Sequence, residues 1–313
     1  MKKLLIISAI FGLLLGSSLT SKAQYYFYDN NTYDNPLTYE FGASFGLMNC
    51  LTDIGGKKGI GKKFIKDWNI GKTTVAGSIY LNATYLYKFG LRAEATFGKI
   101  QADDKVLEKV KTTTFGRYER NLSFRSKITE FSLIGEAHPL FIFWSYDDEY
   151  DREPPRISPY ILGGIGFFSF KPQAKTTAGQ WVDLQPLSTE GQGFLEYPNR
   201  KPYKLNQLNI PLGLGVKYEL SSNFNIRGEF IYRKLNTDYL DDVSTEYVDP
   251  ALFANYHTGA RLTNALLLND RKYELPGSTV TLPGDQRGNP SNNDAYFTFN
   301  IKIGYVFGRE KIR

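Results

Sequence analysis

The chain has 313 residues, with 38 lysines and arginines against 32 aspartates and glutamates, and 15% of it is aromatic. A mean hydropathy of −0.35 excludes a helical membrane protein. The single cysteine excludes a disulfide framework and a cysteine-based zinc site, two histidines leave little room for a histidine-rich metal centre, and a net charge of +6 is too mild to argue for nucleic acid.

At the N-terminus, Lys2 and Lys3 precede an apolar stretch from Leu4 to Leu15, and Ser21-Lys22-Ala23 fits a small-x-small cleavage site before Gln24. These are the three parts of a secretory signal peptide, cleaved after Ala23. A membrane anchor is the other reading, but the apolar core falls short of the ~20 residues that a spanning helix needs. Removing residues 1–23 takes away Lys2, Lys3 and Lys22 and leaves a net charge of +3. Leu47-Met48-Asn49-Cys50 has the look of a lipoprotein box, but it lies well past the apolar region and behind Glu40. Lipidation of Cys50 is therefore not expected.

After this leader no 3.6-residue periodicity stands out, and period 2 dominates. Tyr39, Phe41, Ala43 and Phe45 oppose Glu40, Gly42 and Ser44. Ile79, Leu81, Ala83, Tyr85 and Tyr87 oppose Ser78, Asn82 and Thr84, and Leu91, Ala93, Ala95 and Phe97 oppose Arg92, Glu94, Thr96 and Gly98. Less regular strands lie within 122–143, where Phe131, Leu133, Gly135 and Ala137 alternate with Ser132 and Glu136, and at 157–170, where consecutive apolar and glycine residues blur the facing. Leu208, Ile210, Leu212, Leu214, Val216 and Tyr218 oppose Asn209, Gly213, Gly215, Lys217 and Glu219. Phe224, Ile226, Phe230 and Tyr232 oppose Asn225, Arg227, Glu229 and Arg233. The last strand, Asp294 to Phe307, sets Ala295, Phe297, Phe299, Ile301, Ile303, Tyr305 and Phe307 against Tyr296, Thr298, Asn300, Lys302 and Gly304.

Eight strands of this length match the ~9–11 residues that cross a bilayer at a tilt. Short links join strands 2–3, 4–5 and 6–7, around Phe89, Ser145–Arg156 and Ser221–Asn223, while long ones (47–75, 100–121, 171–206 and 236–293) join the others. Short turns on one side and long loops on the other are the signature of an outer-membrane barrel, and the even strand count puts both termini on the short-turn side. The expected organisation is a signal peptide (1–23), a periplasmic segment (24–36), an all-β, eight-stranded antiparallel transmembrane β-barrel with long extracellular loops (37–307) and a periplasmic tail (308–313). A soluble β-sandwich or lipocalin-like barrel has the same periodicity with the apolar face turned inward. The export signal, the parity of the loops and aromatics at strand ends favour the membrane form. Those aromatics are Tyr85, Tyr87, Phe141, Phe143, Trp144, Phe168, Phe170, Tyr218, Tyr305 and Phe307, placed where interfacial girdles belong. A pore is not expected, since eight strands leave an interior just wide enough for side chains.

Inward-pointing polar faces would gather Glu40, Arg92, Glu94, Glu136, Lys217, Glu219, Arg227, Glu229 and Lys302 in the lumen. Buried charges must pair, so a structural network filling the barrel is the expectation, ahead of a gated ion or proton path. For catalysis, His257 lies in the last loop near Asp249, and His138 precedes Pro139 at the periplasmic end. Neither forms a distinctive Ser/His/Asp spacing, so the protein reads as non-enzymatic, with no cofactor and no small-molecule substrate. The loops differ in charge. Loop 47–75, with Lys57, Lys58, Lys62, Lys63, Lys66 and Lys72, has a net charge of +4, and loop 236–293 has −4. They could pack against each other, or Asp238, Asp241 and Asp242 could hold a hard cation such as calcium. The aspartate spacing does not fit a regular calcium loop, so no metal is expected. Gly55-Gly56-Lys57-Lys58-Gly59 reads as a flexible basic turn rather than a phosphate loop, since no strand-to-helix context follows.

Several segments carry a more specific likeness. They are Tyr39-Glu40-Phe41-Gly42 through Leu51-Thr52-Asp53-Ile54-Gly55, Pro159-Tyr160-Ile161-Leu162-Gly163-Gly164-Ile165-Gly166, 183–193, Ile210-Pro211-Leu212-Gly213, and 237–244. Together they resemble the PorG-like family of Bacteroidota outer-membrane barrels associated with the type IX secretion system. The resemblance implies a non-enzymatic outer-membrane component, in contact with outer-membrane lipid, that works with periplasmic ring proteins of the secretion machine. A structural or adhesive barrel binding surface ligands through its long loops is the alternative. In the link Ser145–Arg156, Asp147, Asp148, Glu149, Asp151 and Glu153 precede Pro154-Pro155 and are the expected docking residues for a periplasmic partner.

Overall fold

The computed structural model describes residues 35–56, 68–110, 115–143 and 155–309. The expected signal peptide, most of segment 24–36, Lys57, Lys58, Lys62, Lys63 and Lys66 of the first loop, Trp144, the docking residues Asp147, Asp148, Glu149, Asp151 and Glu153, and most of the 308–313 tail lie outside the described residues.

The period-2 segments form strands β1 (Leu37–Leu51), β2 (Thr74–Tyr85), β3 (Phe89–Asp103), β4 (Ser123–Ala137), β5 (Ile157–Lys175), β6 (Trp181–Asp183), β7 (Asn206–Glu219), β8 (Phe224–Leu235) and β9 (Ala295–Phe307). Each wall strand pairs antiparallel with its neighbours in the order β4-β3-β2-β1-β9-β8-β7-β5, and a β4–β5 ladder closes the sheet on itself. β6 pairs only with the far end of β5, so it is a short flap on an eight-stranded wall. Closure satisfies the backbone groups that an open edge would leave unpaired in hydrocarbon.

Side chains along each strand then fall alternately outside and inside. Phe45, Ile165 and Ile301 are about two-thirds exposed on the outer face, whereas Asn82, Arg92 and Lys302 have no exposed surface. Charge is inside and apolar surface outside, the reverse of a soluble barrel. Eight strands leave only a narrow interior, and glycines set its packing. A Cβ at Gly215 would stand 2.5 Å from a ring carbon of Tyr160, so only glycine admits that ring across the lumen.

The strands run further outward than the apolar alternation indicates: β1 reaches Leu51, β3 reaches Asp103 and β5 reaches Lys175. The ladder continues where the outer face has turned polar, at Lys99, Gln101, Lys171 and Gln173. Hydrophobic periodicity reports the lipid-facing length of a strand, not its hydrogen-bonded length.

Three of the expected girdle aromatics face inward. Phe168 and Phe170 lie on the inner phase of β5 and are fully buried. Phe141, in the short helix Pro139–Phe143, is buried against Tyr87, with ring centroids 5.7 Å apart. Tyr87 belongs to no strand: Leu86 and Tyr87 both have positive φ (50° and 57°) and make the β2–β3 turn, with Tyr87 folded under the barrel beside Lys217. Tyr85, Phe143, Tyr218, Tyr305 and Phe307 are exposed on the outside.

Helical structure is confined to ends and loops. The longest helix among the described residues, Gly259–Asn269, buries Ala265 and Leu268 in the loop after β8, so the 236–293 segment contains structure that period-2 reading passes over. Together with the loop after β5, it closes over the outer mouth. Leu187, Phe194, Leu240, Val243 and Phe253 pack onto Phe168, Phe170 and Tyr296 from the barrel rim in one apolar core.

Candidate functional site: the charged lumen and the loop cap

All nine expected lumen residues lie inside the barrel, and they pair across it rather than along single strands. Arg227 on β8 reaches Glu40 on β1 at 2.6 Å and Glu136 on β4 at 2.9 Å. Arg92 on β3 bridges Glu136 (2.7 Å), Glu94 (3.0 Å) and Glu229. Lys302 on β9 lies 2.6 Å from a Glu94 oxygen and 3.2 Å from Glu229. Lys217 and Glu219, 3.5 Å apart, sit nearer the periplasmic end with Arg309. The i, i+2 spacings Arg92-x-Glu94 and Lys217-x-Glu219 are internal pairs, but Arg227 and Glu229 each find partners on other strands.

The network is larger than sequence reading assembled. Glu130 on β4 accepts from Arg233 on β8 (2.7 Å) and from the Tyr296 hydroxyl (3.0 Å). Glu130 lies two residues before Ser132 on the inner phase of β4, so extending the alternation by one step would have found it. Tyr80 donates to Glu40 and Tyr160 to Glu229. Glu40, Glu94, Glu130, Glu136, Glu219 and Glu229 thus meet Arg92, Lys217, Arg227, Arg233, Lys302 and Arg309, six carboxylates against six cations. Each charge removed from water is compensated inside the wall. A filled, neutral lumen can brace the sheet and exclude ions.

Near the periplasmic end, Ser158 Oγ lies 2.8 Å from His138 Nδ1, and His138 Nε2 lies 3.6 Å from Glu136. The residue types are those of a hydrolytic triad, but all three are buried in the barrel base, where a substrate carbonyl has no approach. His257 and Asp249 are engaged separately. His257 Nε2 donates to the Leu187 carbonyl at 2.8 Å, whereas Asp249 caps the turn that starts at Pro250.

The cap is held by a second polar set. Glu190 accepts from the Ser244 and Thr245 amides (2.9 and 3.0 Å) and from Arg287 (2.8 Å). Asp242 accepts from Thr189 and Tyr203 hydroxyls, both at 2.6 Å. Asp241 accepts from the Ile54 and Val243 amides, and Asp53 from the Asn289 amide. The first and last loops therefore do meet, but through aspartates and backbone N–H groups. The described loop lysine, Lys72, pairs instead with Asp103 at 3.4 Å. Among the described residues no group of three or more histidines, cysteines or acids is arranged to hold a metal ion. Burial pushes Asp242 up to about 6, and burial with the neighbouring Asp53 charge pushes Asp241 up to about 8. Burial raises Asp294 in the same cluster well above the usual carboxylate range.

A closed antiparallel barrel of eight strands, with an apolar outer band, a charge-paired interior and its three longest connections (after β1, β5 and β8) at one end, has the architecture of a transmembrane β-barrel of the outer-membrane type. No protein-family model matches the sequence, and no curated protein does either. Solved structures with a similar course of chain include Ail, the attachment invasion locus protein of Yersinia pestis, in complex with the heparin analogue sucrose octasulfate (12% identity, 86% of this chain and 99% of that one, TM-score 0.35). Neisserial surface protein A is another (7% identity, 86% and 97%, TM-score 0.37), as is OprG of Pseudomonas aeruginosa (11% identity, 87% and 97%, TM-score 0.36).

Proposed function

We propose that the protein is a non-enzymatic outer-membrane barrel that acts as an accessory of type IX protein secretion by engaging periplasmic ring components. The observation that carries the non-enzymatic part is the lumen: it is filled by paired charges and closed outside by the cap, which leaves the surfaces at the two ends to do the work. The secretion role rests on the sequence resemblance. The two stretches that contribute most to it, 183–193 and 237–244, interlock in the cap through Thr189–Asp242 and Glu190–Ser244. Each stretch is therefore the other's binding partner in the cap.

Export through the signal peptide, residence in the outer membrane and docking through Asp147, Asp148, Glu149, Asp151 and Glu153 belong to the same proposal. Deleting the gene and measuring the secreted proteome tests the role: loss of type IX cargo from the medium is expected, and unchanged cargo contradicts it. Replacing 145–156 with a tight turn should reduce co-purification of ring subunits without loss of the folded barrel. Adhesion through the loops is the second reading. Leu195 and Val280, each more than four-fifths exposed on the cap, are the observation in its favour. Normal secretion with lost surface attachment after their replacement by serine would support it.

A further inference from the structure

On the outer face of three adjacent strands, lysines stand directly opposite one another: Lys99 on β3 pairs in register with Lys127 on β4, which pairs with Lys171 on β5. Like charges directly opposite across a ladder are destabilising, and the cost is repeated here at two consecutive pairs. One row further out stand Arg125 and Gln173, and Lys175 lies beyond them on β5. Lys171 has Asp183 at 2.7 Å, but among the described residues no ion pair reaches Lys99, Arg125, Lys127 or Lys175. The patch therefore carries an excess positive charge that the rest of the described chain does not neutralise.

Its position says what could. The row below it is Phe97, Thr129 and Ser169, and the next is Ala95, Phe131, Phe167 and Leu208, where the apolar band begins. Two to four residues along a tilted strand amount to about 5–10 Å, the depth of the headgroup layer outside the hydrocarbon. Beneath the lysines, Ala93 and Ala95 on β3 lie low between Leu81 and Ile79 on one side and Leu133 and Phe131 on the other, within an apolar groove of about 510 Å³. Beside them the Arg125 guanidinium stacks 3.6 Å over the half-exposed Trp181 ring, an aromatic and basic pairing suited to a membrane interface.

We infer that this face binds a phosphate-bearing lipid of the leaflet on the long-loop side, its phosphates held by Lys99, Lys127 and Lys171 and an acyl chain lying in the groove over Ala93 and Ala95. The inference rests on the barrel spanning a membrane and is independent of any part in secretion. It also gives β5 a reason to outrun the apolar band: the polar extension carries Lys171 and Lys175 to headgroup level and supports the β6 flap that presents Trp181.

The test titrates the full-length barrel in maltoside micelles with diphosphoryl lipid A and follows tryptophan fluorescence, with retained lipid counted by native mass spectrometry. Lys99→Gln/Lys127→Gln/Lys171→Gln should weaken half-saturation at least roughly tenfold. Lys88→Gln/Lys201→Gln/Lys234→Gln, which removes the same charge elsewhere, should stay near wild type, and fully dephosphorylated lipid A should bind neither well. The substituted side chains lie outside, and heat-modifiable migration in gels checks that each variant is folded. Equal binding by the first variant and wild type would overturn the inference, as would an equal loss in the control variant. Saturation of the site by inorganic phosphate or a soluble heparin fragment at matched charge concentration would also overturn it, by identifying a soluble anion as the ligand.

Discussion

Arg227 shows how much a single side chain holds together in this interior. Its guanidinium joins Glu40 on β1 to Glu136 on β4, strands three apart around the wall. Arg227→Ala should destabilise the barrel by about 3–5 kcal/mol, because two carboxylates would stay buried with one counter-charge removed. The measurement is the urea midpoint of the variant refolded into vesicles, and a value within error of wild type would contradict the network's structural role. Gly215→Ala should also destabilise, by about 1–3 kcal/mol or more, since the added carbon meets the Tyr160 ring. Tyr160→Leu in the same chain should restore part of that loss. The nine lumen charges could be read from sequence because the strand period of 2 assigns a face to every residue once its neighbours are placed. Which carboxylate meets which cation could not be read, because Arg92–Glu229 and Arg227–Glu136 join residues 137 and 91 positions apart. Such contacts depend on the register and closure of the whole sheet.

At the scale of elements, strands and loops differ in what their sequence reveals. A strand such as β9 has a lipid side and a lumen side, so its alternation is clear over most of its length. On β5 both phases carry large apolar residues. Ile161, Ile165 and Phe167 face lipid, while Leu162 faces the barrel interior with Ile134 and Ile231 and Phe168 and Phe170 face the cap core, so alternation alone does not say which aromatics belong to the girdle. The cap itself was opaque, because its helices are short and its order comes from side chains that bind backbone amides of distant segments. Glu190 makes several of those bonds, so Glu190→Ala should open the cap and leave the wall intact. Cleavage by added protease in the loops should rise at least roughly tenfold, with heat-modifiable migration unchanged. The buried acids give the cap a pH dependence. The folded-state pKa values of Asp242 and Asp241 lie above the ordinary carboxylate value, so the folded cap binds their protons more tightly than the unfolded chain does. The stability this lends is complete below about pH 4. It is lost as pH rises through about 6 for Asp242 and about 8 for Asp241. For Asp242 the loss is about 3 kcal/mol. Cap cleavage, normalised to an unfolded substrate at each pH, should therefore be slower at pH 5 than at pH 8.5, and Asp242→Asn should flatten part of the difference. Faster cleavage at pH 5 would contradict the sign.

For the whole molecule, the aromatic richness and the low mean hydropathy have one explanation. Apolar side chains are spread one layer deep around the outside of the wall and gathered in the core of the cap, while paired charges fill the lumen and polar groups hold the loops. Composition alone excluded membrane helices, and the periodicity supplied the barrel, but neither said which face pointed out. That polarity is the central claim, and one measurement addresses it directly. Single cysteines are introduced along β9 from Thr298 to Tyr305 in a Cys50→Ser background, spin-labelled and reconstituted in phospholipid vesicles. Labels at Phe299, Ile301, Ile303 and Tyr305 should be relaxed strongly by oxygen and weakly by a water-soluble nickel chelate, while Thr298, Asn300 and Lys302 should be protected from both. Outward positions that respond to the aqueous reagent rather than to oxygen would show a barrel that does not face lipid, and would contradict the account.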